Sequence, residues 1–599
     1  MRSGTLRALA AASLAAALFS APSALASNVT EFPDNGSEQM GRGGAWVARA
    51  SDPLATAFNP AGLAGQYTKV TVQNGIIFEN TCFARLKALN DTSNDPLVRP
   101  DGSFPQVCND GAATINPQLG ATFRLSDRLG LGLLLIGPSS GGEKVFPDFV
   151  PDSTGQLQAS PQRYLLVKQA GIIVFPTIGL GYEVVDNLRI GASFAWGISR
   201  LQLANASMSL NSDGTSPSND TRAVLQAQDY FVPGMNLGVL YSPLPELDIA
   251  GWFKWSDAIR ASGDVGTATS YYTRQNAGGD DKNVRYGDTI YEDCGTGLPV
   301  HEQSKPCGSG DNAKLKIAIP IEAKIGIRYH KPRIRAEYDE IATARPTRLT
   351  SADVQEPSTP PEPVAPAAGG EGPPAPAPVE PPPTVAEPAH RLKHVRDPLS
   401  TDVFDIELDL TWAHNSQIDP ISIRFPGDPS GKGLLPVSGI QGADLPPNAD
   451  IKRGYKDVVG VRLGGDYNVI PDKLAIRAGT FFESSALDPQ YQAIDFIASS
   501  RFGLALGATY RIRFGGAKST SALEIMAGFG HVFYGEQSRT DRGADGQRAL
   551  AGSSCNGSTP TAPTTCADGN ERYRSKWPVN LGTITSSLNV INVGLAYRF

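Results

Sequence analysis

The six histidines are the first residues to weigh, because a serine or cysteine nucleophile needs a histidine beside it to act in catalysis. His414 and His531 lie near the ends of strand-like segments, and neither belongs to a recognisable Ser-His arrangement. The sequence therefore predicts a protein that is not an enzyme and that uses no cofactor.

The six cysteines form three local pairs, each within a polar stretch rich in Gly, Asn, Asp and Pro. The pairs are Cys82 with Cys108, Cys294 with Cys307, and Cys555 with Cys566. In an exported chain such pairs favour three loop-closing disulfide bonds. A metal site is the alternative, but no CxxC spacing occurs and only His301 lies inside a pair, so no metal is predicted.

Charged side chains recur at alternate positions of several segments, a spacing that places them on one face of a β-strand. In FDIELDLTW, the charged series is Asp405, Glu407 and Asp409. In LKIAIPIEAKIGIRY, the odd-numbered residues from Leu315 to Tyr329 form the apolar face, and charged residues lie on the other face. Four cations on polar faces are candidates to receive a carboxylate head group: Lys324, Arg328, Arg462 and Arg477. The alternative is that they balance the carboxylates Asp405, Glu407, Asp409 and Asp466.

About fourteen strand-like segments hold these residues. They are predicted near residues 68–80, 114–125, 128–138, 168–184, 188–204, 226–242, 247–259, 314–330, 402–416, 455–470, 473–486, 499–513, 520–536 and 586–599. Alternation by itself also fits a soluble sandwich. Aromatic residues at segment ends favour instead the two girdles of a membrane barrel: Trp252, Trp255, Trp412 and Tyr467. The predicted fold is an all-β transmembrane antiparallel barrel of about fourteen strands.

Short connections alternate with long ones along the chain. The short ones are predicted at residues 126–127, 185–187, 244–246, 471–472 and 515–516. Because outer-membrane barrels have short periplasmic turns and long extracellular loops, we expect all three cysteine pairs in long loops outside the cell.

Residues 331–400 are the exception to this pattern. The stretch from Ile334 to Pro346 could be a fifteenth strand, and a tract rich in Pro, Ala and Glu follows it. Because bacterial single-chain barrels have even strand numbers, we expect one enlarged, Pro-rich periplasmic insertion instead. The insertion either contacts a periplasmic component such as peptidoglycan or is tolerated without a partner.

The two ends of the chain carry targeting signals. Residues 1–26 combine Arg2 and Arg7 with an apolar run and an Ala-Leu-Ala site, which predicts a secretory signal peptide. Phe599 ends an alternating last strand, which resembles the signal read by the barrel assembly machinery. The modest net charge of -7 argues against nucleic-acid binding, and the outer membrane of a Gram-negative bacterium is the expected location.

The stretch EFPDNGSEQMGRGGAWVARASDPLATAFNPAGLAG, residues 31–65, is too rich in glycine for a regular helix or strand. It resembles the N-terminal hatch of the FadL/TodX family of outer-membrane transporters for hydrophobic compounds. The resemblance rests on Gly41-Arg42 and on Asn59-Pro60-Ala61 just before the first strand. It implies that residues 27–66 form a hatch that plugs a barrel of residues 67–599. The loops and the Pro-rich insertion depart from the family pattern.

The resemblance also implies a function. A monomer would take up long-chain fatty acids or other hydrophobic small molecules at an extracellular groove, pass them by the hatch and release them sideways into outer-membrane lipid. The opening is expected near the third strand, where Gly137-Pro138 interrupts RLGLGLLLIGPSS; the alternative is that these residues only begin an external loop. A general diffusion porin and an adhesin or receptor that acts through extracellular loops are the competing functions.

Overall fold

The computed structural model describes most of the chain after residue 34. The described residues are 35–89, 91, 95–137, 143–208, 220–269, 272, 290–292, 299–301, 313–333, 395–424, 435–436, 444–445, 449–514, 520–543, 564–565, 571–572 and 578–599. The signal peptide and the stretch from Ile334 to Pro346 lie outside them. So do Pro138, Gly515, Gly516 and the four cysteines Cys294, Cys307, Cys555 and Cys566.

Fourteen long antiparallel strands form one closed sheet. They are β1 Lys69–Arg85, β2 Thr114–Arg124, β3 Leu129–Ile136, β4 Lys168–Val185, β5 Leu188–Met208, β6 Asp220–Leu244, β7 Leu247–Ser256 with Ile259–Thr269, β8 Ala313–Ile317 with Glu322–Pro332, β9 Asp402–Ala413 with Ile421–Arg424, β10 Ala449–Ile451 with Val458–Ile470, β11 Leu474–Glu483, β12 Arg501–Arg513, β13 Ala522–Tyr534 with Gln537–Arg539, and β14 Gly582–Arg598. β1 pairs with β14 from Lys69 opposite Arg598 to Arg85 opposite Gly582, which closes the barrel. The prediction of a fourteen-strand antiparallel barrel is confirmed.

Short strands, hairpins and helices are attached to this barrel. Two-residue strands extend the sheet beside β1 and β4, at Val107–Cys108 and Lys144–Val145. Small hairpins pair Phe149–Pro151 with Leu157–Ala159, Ile290–Glu292 with Pro299–His301, Leu435–Pro436 with Asp444–Leu445, and Thr564–Thr565 with Glu571–Arg572. The helices are α1 Ser37–Gly41, α2 Ala55–Phe58 and α3 Pro398–Thr401, with 3-10 turns at Pro60–Leu63, Asn415–Ile418 and Pro489–Tyr491. No helix in the described part of the chain is long and apolar enough to cross a membrane.

The barrel has one end with short turns and one end with long loops. β2–β3, β4–β5, β6–β7 and β10–β11 are joined by a few residues each. Thr68 and Phe599 lie at this same end, where the Phe599 amide donates to the Thr68 carbonyl at 3.1 Å. We call this end lower, or periplasmic, and the opposite end upper, or extracellular. Residues 333–401 join β8 and β9 at the lower end, and the two strands pair directly.

The outward face of the lower barrel is apolar and exposed. On β9, Ile406, Leu408 and Leu410 expose about half of their surface, whereas Glu407 and Asp409 between them are buried inside. A soluble sandwich would bury its apolar faces, so this alternation is that of a barrel in a membrane. The closed barrel and its exposed apolar band place the protein in the outer membrane of a Gram-negative bacterium, as predicted.

The alternation reverses above the membrane, and this corrects the expectation of one apolar face from Leu315 to Tyr329. Ile325 is 60 % exposed on the outside, but Leu315, with the same parity, is 1 % exposed and faces the lumen. β8 is broken between Ile317 and Glu322, so its faces exchange there. Above the membrane the surroundings are water, and the apolar side chains therefore turn inward.

Two further expectations are corrected in detail. Trp252 is not in a girdle, because it is buried in the lumen, whereas Trp255, Trp412 and Tyr467 do face outward. Cys82 lies within β1 rather than in a loop, and it forms a disulfide bond with Cys108 on the short strand beside it.

Candidate functional site

Residues 35–66, called here the N-terminal segment, lie inside the barrel. The Ser37 amide donates to Gln73 Oε1 of β1 at 2.7 Å, and the Ser37 hydroxyl donates to Asn592 Oδ1 of β14 at 2.9 Å. On the opposite wall, the Trp46 amide donates to Asp409 Oδ2 of β9 at 2.9 Å. A segment that bonds to strands around the whole circumference occupies the lumen.

Asn59, Pro60 and Ala61 form a compact turn within this segment. The Asn59 side chain donates to the Val47 carbonyl at 2.7 Å, and its oxygen accepts from the Ala61 amide at 3.2 Å. Pro60 begins the 3-10 turn, where its missing N–H costs no hydrogen bond. The tripeptide therefore ties the end of the segment back to its middle.

Glycines of the wall make room for this turn and for Arg42. A Cβ at Gly191 of β5 would lie 2.2 Å from the Pro60 carbonyl carbon, and one at Gly479 of β11 would lie 2.0 Å from the Arg42 carbonyl carbon. Because both neighbours are backbone atoms, no side-chain rotation can relieve such a clash. The segment therefore contacts the wall at distances that only glycine permits.

Arg42 lies at the centre of the acid cluster, the lumen-facing carboxylates Asp405, Glu407, Asp409 and Asp466. Its Nη1 lies 2.6 Å from both Asp405 Oδ1 and Asp466 Oδ1, and its Nη2 lies 3.1 Å from Glu407 Oε2. Arg49 adds ion pairs to Asp405 and Asp466. All of these side chains are almost fully buried. Buried carboxylates need such partners, so the cluster binds the N-terminal segment tightly to β9 and β10.

The four predicted cations all face the lumen, but they do not form one site. Arg328 pairs with Asp248, Asp402 and Asp405. Arg477 lies 3.2 Å from Asp466, and Arg462 lies 2.8 Å from Glu483. Lys324 Nζ instead lies 4.4 Å from the centre of the Trp252 ring. At least three of the four therefore balance carboxylates, the second of the two roles considered above.

An apolar cavity lies beside the Phe58 and Trp252 rings and opens toward solvent. Phe58 of the N-terminal segment forms one side of it, and the wall supplies Ile136, Gly137, Phe175 and Trp252. The Trp252 indole donates to the Ala57 carbonyl at 2.7 Å, which holds this wall residue against the segment. The cavity is therefore built jointly by the segment and the barrel.

The barrel wall is interrupted beside this cavity. Residues 119–124 of β2 pair with β3, but β3 ends at Ile136, and residues 114–118 of β2 pair with β1 alone. Gly137 lies between β2 and β4, where a Cβ would lie 3.0 Å from the Ile173 carbonyl and 3.3 Å from Asn116 Oδ1. Within the described residues, the ladder between β2 and β4 is incomplete at the level of the cavity.

A second cavity lies below the N-terminal segment and is lined mostly by polar side chains. Charged side chains line it, among them Glu38, Arg49, Lys69, Asp397, Arg511 and Arg598. No group of three or more His, Cys, Asp or Glu residues in the described ranges is arranged to hold a metal ion. The lumen thus has an apolar chamber above the segment and a charged one below it.

One solved structure shares this architecture over its whole length. A FadL homologue from Pseudomonas aeruginosa matches with a TM-score of 0.55 and 15 % identity, over 95 % of this chain and 99 % of the other. The chain has the fold of a FadL homologue.

Further structures match the FadL-like barrel less closely. The toluene transporter TbuX of Ralstonia pickettii has 11 % identity, and TodX of P. putida, also a toluene transporter, has 10 %. Each match has a TM-score of 0.47 and covers 96 % of this chain and 99 % of the other. No protein-family model and no curated protein matches the sequence.

Several residues of the site were not among the predicted ones. Phe58, Phe175 and Trp252 line the apolar cavity, and Arg49 joins Arg42 in binding the acid cluster. For Phe175 the sequence offers no signal, because it lies in an unbroken strand of mixed composition. For Arg49 the sequence does offer a signal. The N-terminal segment carries two arginines, Arg42 and Arg49, and the later strand β9 carries alternating carboxylates that could pair with them.

Proposed function

We propose that this FadL-like barrel takes up hydrophobic small molecules, such as long-chain fatty acids, across the outer membrane. In this proposal residues 27–66 are the hatch, the apolar cavity binds the molecule, and the interruption beside Gly137 releases it sideways into the membrane. The observation that carries the proposal is the position of an apolar cavity directly against an incomplete wall.

The surface of the cavity suits an apolar ligand. Burial of apolar area is worth about 25 cal/mol per Å2, so a ligand that buries about 200 Å2 against Phe58, Phe175 and Trp252 gains roughly 5 kcal/mol. Lys324 Nζ lies against the Trp252 and Phe58 rings, two side chains of the cavity, and in this proposal it receives the carboxylate. A fatty acid would then lie with its head group toward Lys324 and its chain against the aromatic side chains.

The lower lumen supports sideways rather than downward release. Below the cavity the molecule would meet the N-terminal segment and the buried ion pairs of Arg42 with Asp405 and Asp466. An apolar chain cannot replace those ion pairs, so downward passage would cost several kcal/mol. In this proposal the molecule leaves instead through the interruption beside Gly137 and enters hydrocarbon, where an apolar molecule is stable.

Replacement of Gly137 by valine tests the release step. The added side chain would fill the space between Asn116 and Ile173, so we expect uptake of labelled fatty acid by cells to fall at least tenfold while the purified barrel still binds it. Gly251→Val on β7 is the matched control, because a Cβ at Gly251 meets only the Val239 side chain, at 3.2 Å. Undiminished uptake by the Gly137 variant would contradict lateral release.

A general diffusion porin is the main competing function, and planar bilayers separate the two. An unplugged porin gives large, steady ion currents, whereas a barrel filled by residues 35–66 conducts little. Large currents through the wild-type protein would overturn the transport proposal. An adhesin is tested by deletion of an extracellular loop, which leaves hydrophobic uptake unchanged in our proposal.

A further inference from the structure

The outward face of β7, β8 and β9 changes from apolar to basic above the membrane. Four cations from these adjacent strands face outward, because they alternate with buried lumen-facing residues such as Ala261 and Leu315. We call them the basic patch: Arg260 of β7, Lys314 and Lys316 of β8, and Arg424 of β9.

The strand register brings cations of the basic patch directly opposite one another. Arg260 lies opposite Lys316 on the neighbouring strand, and Lys314 lies opposite Arg424. Like charges in directly opposite positions destabilise a sheet unless an anion lies between or above them. Two such pairs side by side concentrate positive charge on this face of the barrel.

The carboxylates near the patch are already engaged. Asp257 pairs with Arg260, and Asp450 lies 2.7 Å from Arg424. Asp229 accepts from the backbone amides of Phe231 and Arg260, at 3.0 and 2.7 Å. Among the residues that the structure describes, no carboxylate lies within 4.0 Å of the Lys314 or Lys316 amine, although Asp257 attracts Lys316 from a greater distance. These two exposed lysines are therefore available to a ligand.

The height of the patch identifies the partner. Residues 247–255 of β7 carry the exposed apolar band, and about nine to eleven tilted residues span the hydrocarbon layer. Outward-facing Trp255 marks the upper boundary of that layer. Arg260 follows five residues later, which is about 12 Å higher at a strand tilt of about 40°. That level is the head-group layer of the outer leaflet.

We propose that the basic patch binds the phosphate groups of the glycolipid that forms the outer leaflet, lipopolysaccharide. Lysine and arginine make strong charge-assisted hydrogen bonds with phosphate oxygens. The patch continues the lipid-facing band of the same strands, so the acyl chains would pack below it on the exposed apolar side chains. The proposal is independent of what the barrel transports.

Native mass spectrometry of the purified full-length barrel with lipid A tests the proposal. The double variant Lys314→Gln/Lys316→Gln should bind diphosphorylated lipid A at least tenfold more weakly than the wild type. Removal of the phosphates from the lipid should weaken wild-type binding by a similar factor and should change binding to the double variant little. The periplasmic variant Lys473→Gln should bind like the wild type.

Two outcomes would overturn the proposal. One is equal affinity of the wild type and the double variant for diphosphorylated lipid A, with both barrels shown to be folded by their retained mobility in unheated electrophoresis. The other is equal affinity of the wild type for lipid A with and without phosphate, which would mean that the lysines are simply solvated. Binding of the wild type should also weaken as salt is raised, since these charges are exposed.

Discussion

The upper and lower halves of the lumen are lined by opposite kinds of side chain. In the upper half, Leu225, Ile259, Leu315 and Ile421 pack into a buried apolar cluster. In the lower half, the strands carry the acid cluster, which pairs with Arg42 and Arg49. Under the proposed function, an apolar molecule is stable in the first region and excluded from the second.

The contrast between the two regions shows which contacts hold the N-terminal segment inside the barrel. Its contacts to β9 and β10 are ion pairs and amide bonds to carboxylates, whereas its other close contacts are the fit of Pro60 to the β5 glycine Gly191 and of Phe58 to the cavity. The polar contacts fix the segment in place, and the apolar ones shape a surface for a ligand. Variants that affect one set and spare the other separate these roles.

The largest effect is expected from Arg42→Met. The substitution leaves Asp405, Glu407 and Asp466 with one fewer buried cation, which costs about 3–5 kcal/mol for a broken buried pair. We expect the N-terminal segment to detach, so that the barrel conducts ions in planar bilayers. Arg462→Met is the control, because Arg462 pairs with Glu483 of the wall. Equal currents from the two variants would contradict the role assigned to Arg42.

Next in size is the effect of Leu315→Ala, which tests the reversal of faces. Leu315 is buried in the upper apolar cluster, so its truncation should lower the free energy of unfolding by about 3 kcal/mol. Ile325→Ala, on the same strand and with the same parity, removes a lipid-facing side chain and should cost well under half as much. Urea unfolding in detergent measures both. Equal losses would mean that the faces do not exchange.

Much of the barrel was predictable from the sequence, because alternation and short turns locate strands independently of distant contacts. The reversal of faces in β8 was not, since the odd-numbered residues are apolar on both sides of the break. What changes is the medium outside the barrel, from lipid to water, and the alternation of apolar and polar residues does not show where that change occurs. The same reason explains Trp252, whose aromatic character fits a girdle as well as a lumen.

The candidate site was predictable only in part. Gly41, Arg42, Asn59, Pro60 and Ala61 lie in the segment that fills the lumen. The apolar cavity, however, combines Phe58 with Phe175 and Trp252, residues far apart in the sequence, and only the closed barrel brings them together. Likewise, the need for glycine at positions that contact Pro60, such as Gly191, can be recognised only when the N-terminal segment lies inside the barrel.

A smaller effect is expected from Gly191→Ala. The added Cβ would lie 2.2 Å from the Pro60 backbone, so the segment must shift, at a cost of about 2 kcal/mol for such overpacking. Protease should then cut residues 35–66 faster than in the wild type. Gly75→Ala is the control, because the nearest atom to its Cβ would be 3.6 Å away. Unchanged cleavage of the Gly191 variant would show that the close fit is unimportant.

The smallest effect concerns Asp397 at the periplasmic rim, just before α3. Burial opposes its ionisation, but Arg511 and Arg598 hold the pKa of the Asp397 carboxyl well below its usual value. A lowered pKa in the folded state gives stability that is fully present above the unfolded pKa, near 3.9, and is lost as the pH falls below it. Asp397 therefore contributes at neutral pH and not in strong acid.

Asp397→Asn should accordingly lower the free energy of unfolding by about 1.5 kcal/mol at pH 7, the value of a hydrogen bond to a charged group. Arg511 keeps Asp472 and Glu524 as partners, and the asparagine side-chain oxygen can still accept from Arg598, which limits the loss. The difference between wild type and variant should shrink as the pH is lowered from 5 to 2.5. Asp541→Asn, an exposed loop residue, should show no such difference at any pH. A wild-type advantage that is constant over this range would mean that Asp397 acts through its shape rather than its charge.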